Sequence, residues 1–244
     1  MSAGQIRLYV DDALGEGQTV PLTREHAHYL ANVMRRSAGD TITVFNGRDG
    51  AWTARIKLVS KRGGVLVVTE QTAPQQDPPD LWLVFAPIKK ARTDFIVEKA
   101  AEMGAARILP VQTAFTNAER VRQDRLQAHA VEAAEQCGGT FVPEVAALQK
   151  LDALLANWPA DRHLMFCDEA LAGDAAAQAP LDPTTRGAPW AVLIGPEGGF
   201  SAAERTRLRA MDRAVPVQLG PRILRADTAA VAALTLWQSS LGDW

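Results

Sequence analysis

Hydrophobic and polar positions change rhythm once along this chain, near residue 73. Before that point, short runs rich in β-branched and aromatic residues at 7–10, 41–45, 52–59 and 65–69 predict strands. Turn formers separate them. Asn46-Gly47 and Asp49-Gly50 lie between the second and third runs and Lys61-Arg62-Gly63-Gly64 between the third and fourth, which predicts consecutive hairpins. One helix is expected over 24–36, with Thr23 at its N-cap and Gly39 just past its end. Residues 1–72 therefore predict a small β-barrel carrying one helix.

The polar, proline-rich stretch APQQDPPD at 73–80 can extend neither a strand nor a helix and predicts an interdomain linker. Beyond it, apolar runs at 81–85, 107–111, 163–167, 190–194 and 215–219 alternate with helical stretches, the pattern of an α/β domain with a parallel sheet over 81–244. Its first unit reads as a strand, a helix over 92–103 closed by Gly104, and a returning strand. Further helices are expected over 126–136 and from Arg222 onward, and the Ala/Pro/Gly-rich segment 172–189 reads as a surface loop.

Composition narrows the function. With 244 residues, 47% hydrophobic and 22% charged, the chain has ample material for folded domains. A net charge of -2 argues against nucleic-acid binding by bulk positive charge, so any such contact must be local. Apolar runs such as Trp190–Ile194 are too short for a bilayer, and the start MSAGQIRLYV lacks the apolar core of a secretory signal; no membrane and a cytoplasmic location are expected. Cys137 and Cys167, outside any CxxC, predict two buried reduced thiols and no metal site. His26, His28, His129 and His163 predict ordinary core or surface roles.

The sharpest feature is WAVLIGPEGGFS at 190–201: an apolar strand enters Gly195-Pro196-Glu197-Gly198-Gly199, and Ser201 with Glu204 has the spacing of a capping box for the next helix. At the carboxyl end of a parallel strand, such glycines let backbone amides approach a ligand, although a tight structural turn would use them equally well. Neither GxGxxG nor a GK[ST] phosphate loop is present. A second edge follows at Gly220-Pro221, and the two loops are expected to face one crevice. The alanines at 226, 229, 230, 232 and 233 permit close backbone approach and equally express helix propensity.

LIGPEGGFS followed by LGPRILRADTA resembles the paired signature of the SPOUT methyltransferases and, within them, of the RsmE family of 16S rRNA uracil-N3 methyltransferases. KKARTDFIVEKAAEMGAARILPV and AVEAAEQCGGTFVPEV resemble that family's intervening blocks, and HYLANVMRRSAGDTITVFNGRDG its N-terminal PUA-like domain. The resemblance implies a C-terminal trefoil knot, S-adenosylmethionine as cofactor, and a homodimer with the pocket beside its interface. Leu193, Gly195, Pro196, Glu197 and Gly199 would line one side of that pocket, and Leu219, Gly220, Ile223 and Leu224 the other. Arg225 and Thr228 would face the reacting end, and Asp227 stands where the family motif more often has Glu.

Uracil N3 carries a proton at neutral pH, so the reaction needs it removed or the resulting anion stabilised. Arg222 or Arg225 could supply the charge, and Glu197, if burial raised its pKa, could take the proton. Arg7, Arg35, Arg36, Arg48, Lys89, Lys90 and Arg92 are the expected phosphate contacts to 16S rRNA, which the family resemblance places within the small ribosomal subunit. A SPOUT enzyme acting on a ribose 2'-hydroxyl or a tRNA, a non-catalytic assembly factor and a nicotinamide-dependent oxidoreductase are the alternatives, the last disfavoured by the missing GxGxxG.

Overall fold

The computed structural model describes residues 6–118, 120–173 and 181–244. They form two compact units, Met1–Asp77 with Ala134–Val142, and Pro78–Ala133 with Pro143–Trp244. The expected loop at 172–189 lies partly outside the described residues.

In the first unit, β1 (Arg7–Tyr9), β2 (Thr19–Leu22), β3 (Thr41–Phe45), β4 (Ala51–Ser60) and β5 (Gly63–Ala73) form one sheet in the order β1-β3-β4-β5-β2. The turn-marked strands β3, β4 and β5 are antiparallel neighbours, as their hairpins predict. β2 was not predicted, because TVPL is short and contains a proline. Among the described residues β1 and β2 are the two edges of this sheet, so hydrogen bonding does not close the expected barrel. Its core gathers Leu8, Val20, Ile42, Val44, Ile56, Leu66 and Val68 with Ala27 and Leu30 of the helical segment. That segment is not one regular helix: α1 (Arg24–His28) starts where the Thr23 hydroxyl accepts the His26 N–H at 3.1 Å, then widens into a π-turn over Tyr29–Val33.

The expected linker also changes. Ala73 closes β5, and the next residues are held: Gly50 N–H donates to the Gln75 side chain at 3.3 Å and Gln76 N–H to Thr140 Oγ1 at 3.0 Å. Ala134–Val142, placed by the sequence pattern in the α/β domain, belongs to the first unit. There the Glu135 carboxylate accepts the Tyr9 N–H at 2.8 Å, Arg7 donates to the Gly139 carbonyl at 2.6 Å, and Ala134 packs with Phe45 and Ala51. Cys137, in this segment, is exposed rather than buried; Cys167 is buried as expected, and burial pushes its thiol up to about 12.

The second unit contains β6 (Leu81–Phe85), α2 (Lys90–Glu102), β7 (Arg107–Gln112), most of α3 (Gln123–Cys137), β8 (Glu144–Val145), β9 (Gln149–Lys150), α4 (Leu151–Ala156), β10 (His163–Cys167), β11 (Trp190–Ile194), α5 (Ala202–Arg209), β12 (Ala214–Val217) and α6 (Ala226–Leu241). Its parallel sheet runs β12-β10-β11-β6-β7-β8, with β9 beside β7. The two-residue strands and α4 were missed, being too short to carry a period.

Helices cover both faces of this sheet, which is why β11 is buried at every position and reads as an unbroken apolar run. On one face Leu193, Phe166 and Val84 pack with Leu151 of α4 and Leu208 of α5. On the other, α6 packs on β11 and α2. Gly104 ends α2 as predicted, in the left-handed region at φ 76°, beside the buried Gln238, which donates to the Met103 carbonyl at 2.6 Å. At the amino edge of the sheet, Arg162 donates to both Asp80 carboxylate oxygens at 2.9 Å and to the Trp190 carbonyl at 2.8 Å, and lies 3.6 Å from the Trp82 ring centroid. The carboxyl edge is left for the site.

Candidate active site

Because the strands of this sheet are parallel, the loops that follow them leave together at this carboxyl edge. β11 lies between β10 and β6, with Ile194 opposite Cys167 on one side and Phe85 on the other, so residues 195–201 emerge at the centre. The capping box predicted from spacing forms: Ser201 Oγ accepts the Glu204 N–H at 3.3 Å while Glu204 accepts the Ser201 N–H at 2.8 Å. The other Glu204 oxygen takes the Ala114 N–H at 2.8 Å, which joins this loop to the one after β7.

The expected meeting of two loops is present. One crevice is lined by Ile194, Gly195, Pro196, Glu197 and Gly199 from the first loop and by Leu219, Gly220 and 222–225 from the second. Its larger part has a volume of about 300 Å³, which reaches the lower end of the roughly 300–1,000 Å³ of ligand pockets. Apolar Ile194, Pro196, Leu224 and Ala229 can cover an adenine face, and glycine backbone can meet its polar edge. Residues 222–224 line this crevice because the terminal helix starts later than expected, at Ala226, with Arg225 extended at φ -66° and ψ 153° as its N-cap.

The structure separates the expected pocket residues. Leu193 does not line the crevice, because the strand's alternation turns its side chain into the core with Phe166 and Leu208. Thr228 is exposed on α6 and outside the lining, which passes from Ala226 to Ala229. Glu197 was expected as a buried proton acceptor. Instead its side chain is 48% exposed and receives a hydrogen bond from Arg92 at 2.6 Å. Arg92, expected on RNA phosphate, lies between that carboxylate and Asp227 at 3.6 Å, so it ties the first crevice loop to the start of α6. Arg222 and Arg225 line the crevice, and among the described residues neither side chain has a partner.

The expected RNA contacts divide similarly. Arg7 is spent internally, donating to Gly139 and lying 4.9 Å from the Phe45 ring centroid, and desolvation lowers its pKa. Arg48 is exposed but donates to the Asp11 carbonyl at 2.8 Å, and Arg36 is half-buried. Arg35, Lys89 and Lys90 are exposed.

Sequence reading missed the acidic pair that follows β10. Asp168 is buried and its carboxylate accepts Arg205 Nε at 3.1 Å, Arg209 at 2.6 Å and the Ala170 N–H at 3.1 Å. Glu169 pairs with Arg205, accepts the Phe200 N–H at 3.3 Å and lines the crevice. The signal was available: two acids directly after a buried strand, with arginines at i and i+4 on α5. Gly199 sits against this carboxylate in the left-handed region at φ 71°, where a Cβ would run into Glu169. Gly199→Ala is therefore expected to cost about 1–3 kcal/mol from backbone strain and displacement of Glu169. Urea unfolding measures this; an unchanged midpoint would mean the loop relaxes freely.

Comparison with known proteins agrees with this arrangement. Residues 75–238 match the RNA methyltransferase domain family and residues 22–69 the RNA methyltransferase PUA domain family. The ribosomal RNA small subunit methyltransferase E of Bacillus subtilis is 30% identical over 230 residues, covering 90% of each chain, and that of Rickettsia conorii is 27% identical, covering 93% of each. The crystal structure of a ribosomal RNA small subunit methyltransferase E from Neisseria gonorrhoeae bound to S-adenosyl methionine aligns with 99% of this chain and 100% of that one, at 27% identity and a TM-score of 0.86. With a parallel sheet that brings two glycine-bearing loops to one crevice, and relatives matched along nearly its whole length, this chain belongs to the ribosomal RNA small subunit methyltransferase E family.

Proposed function

We propose that this protein methylates N3 of a specific uridine in 16S rRNA, within the small ribosomal subunit, using S-adenosylmethionine. The observation that carries the reading is the crevice built from the loops after β11 and β12, open at an edge where two guanidinium groups have no partner among the described residues. When bound, the cofactor supplies an electrophilic methyl group on a sulfonium. The chain's own work is then positioning and charge. Pro196, Leu219, Ile223 and Leu224 grip the adenosyl part by apolar contact, Gly195, Gly199 and Gly220 bring backbone to its polar edge, and Glu169 holds the first loop in place. Arg225 and Arg222 stabilise the negative charge on the uracil oxygens as the N3 proton passes to water at the open edge and N3 takes the methyl group from the sulfonium.

The target base must be unpaired or turned out, because N3 lies on the pairing edge. A homodimer is part of the same reading. Phe95 on α2 and Leu236 on α6 are apolar and 38% and 37% exposed on two helices that pack together, a surface a second copy would cover. The knot threads the segment between β12 and α6; its support is the strand order, which places β11 between β10 and β6. A cytoplasmic location follows from the substrate.

The deciding assay is transfer of a labelled methyl group to small subunits lacking the modification, followed by nucleoside analysis. The expected product is 3-methyluridine. A 2'-O-methylated nucleoside, or methylation of tRNA alone, would keep the enzyme and overturn its substrate, and no transfer to any RNA would leave a binding factor.

A further inference from the structure

We propose that a second depression on this edge of the parallel sheet holds the sugar-phosphate backbone of the substrate RNA strand, an inference that rests on reading the protein as an RNA methyltransferase. Pro87 and Ile88 after β6, Lys90 on α2, and Arg120, Arg122 and Arg125 ahead of and within α3 line a space of about 360 Å³. Four basic side chains enter it, and among the described residues no carboxylate lines it, in a chain whose net charge is -2.

Their pairing sorts their roles. Arg125 is committed, donating to the two oxygens of Asp94 at 2.6 and 2.7 Å, and forms a fixed wall. Among the described residues Arg122 pairs only with the exposed Asp124, a contact in water that a phosphate can displace. Lys90 and Arg120 are exposed and have no partner among the described residues. Among the described residues, two cations without partners and one exchangeable one therefore face a common space.

Position links this groove to the crevice. Phe85 and Ile194 are paired neighbours, so the segments that follow β6 and β11 leave the sheet side by side. Lys90 and Arg92 share the first turn of α2, and Arg92 reaches Glu197 in the crevice wall. An RNA strand with its target base in the crevice would thus run its flanking phosphates past Lys90 and Arg120. Among the described residues the lining contains no aromatic ring, so it offers no platform for base stacking and suits the backbone. It reads position along the strand, not sequence.

The test uses the full-length protein carrying Lys90→Gln and Arg120→Gln together, both at exposed sites. Binding to unmodified small subunits is titrated across salt concentrations, with calorimetric binding of S-adenosylmethionine as the fold control. Loss of two phosphate contacts should make the plot of log affinity against log salt shallower by about 1.4–1.8, with the cofactor titration unchanged. The weakening should be largest at low salt. If wild type methylates subunits but the variant keeps the same slope and affinity, the groove is overturned and the functional reading stands. If wild type transfers no methyl group to RNA, the functional reading itself is overturned.

Discussion

Asp168→Ala is expected to lower the melting temperature by roughly 5–10 °C, from about 3 kcal/mol lost, and to weaken binding of S-adenosylmethionine about tenfold. The carboxylate is fully enclosed and holds Arg205, Arg209 and the Ala170 N–H, joining the end of β10 to α5. Its own N–H donates to the Val217 carbonyl of β12 at 3.3 Å, so the residue also sits where the second crevice loop departs. Removal leaves two arginines without their enclosed partner. Both are partly exposed and can turn toward water, which keeps the loss below that of a fully buried pair.

The cofactor effect follows from Glu169. Arg205 bridges Asp168 and Glu169, and Glu169 in turn takes the Phe200 N–H next to Gly199. Without Asp168 the arginine loses one of its two anchors and the first loop loses a fixed support. Asp168→Asn keeps the shape and one acceptor and should fall between wild type and alanine. Scanning calorimetry with and without cofactor measures both effects; an unshifted melting temperature in the alanine variant would show that the cluster bears no stability, and an unshifted cofactor affinity that the loop stands without it.

The second large effect is expected at Arg225. Arg225→Ala should reduce kcat by about 10²–10³, the loss usual when one donor to a developing anion is removed, while cofactor affinity stays within about threefold because uniform binding is untouched. The reasons are its position at the crevice, its extended N-cap backbone and a guanidinium with no partner among the described residues. Arg225→Lys should recover part of the rate, since a point charge replaces a forked donor. Single-turnover kinetics with saturating cofactor separates this from weakened RNA binding. An unchanged kcat in the alanine variant, with a large loss in Arg222→Ala, would move the role to Arg222.

These two predictions differ in how they could have been found. Arg225 came from a motif, LRADTA, and the structure places it in the crevice. Asp168 came from the fold: the acids after β10 and the i, i+4 arginines on α5 are visible in the sequence, but only the fold brings those two distant segments together. The same holds for Arg92, expected on phosphate but lying between Glu197 and Asp227. It holds too for Arg7, whose charge serves the Gly139 carbonyl.

By itself the sequence determined the order and kind of most elements, because period, caps and turns act within a few residues. Strands such as Leu81–Phe85 and Trp190–Ile194, the Ser201–Glu204 capping box, and the termination of α2 at Gly104 are local events. Only the tertiary structure decided which motif residues do chemistry. Leu193 is apolar within a run of apolar residues, and its choice between crevice and core depends on helices covering both faces of the sheet. Glu197 could have been buried or paired, and the outcome was set by an arginine brought to it across the edge between β11 and β6. Local energies select elements; the partners of a charge are selected by packing between segments that sequence distance does not connect.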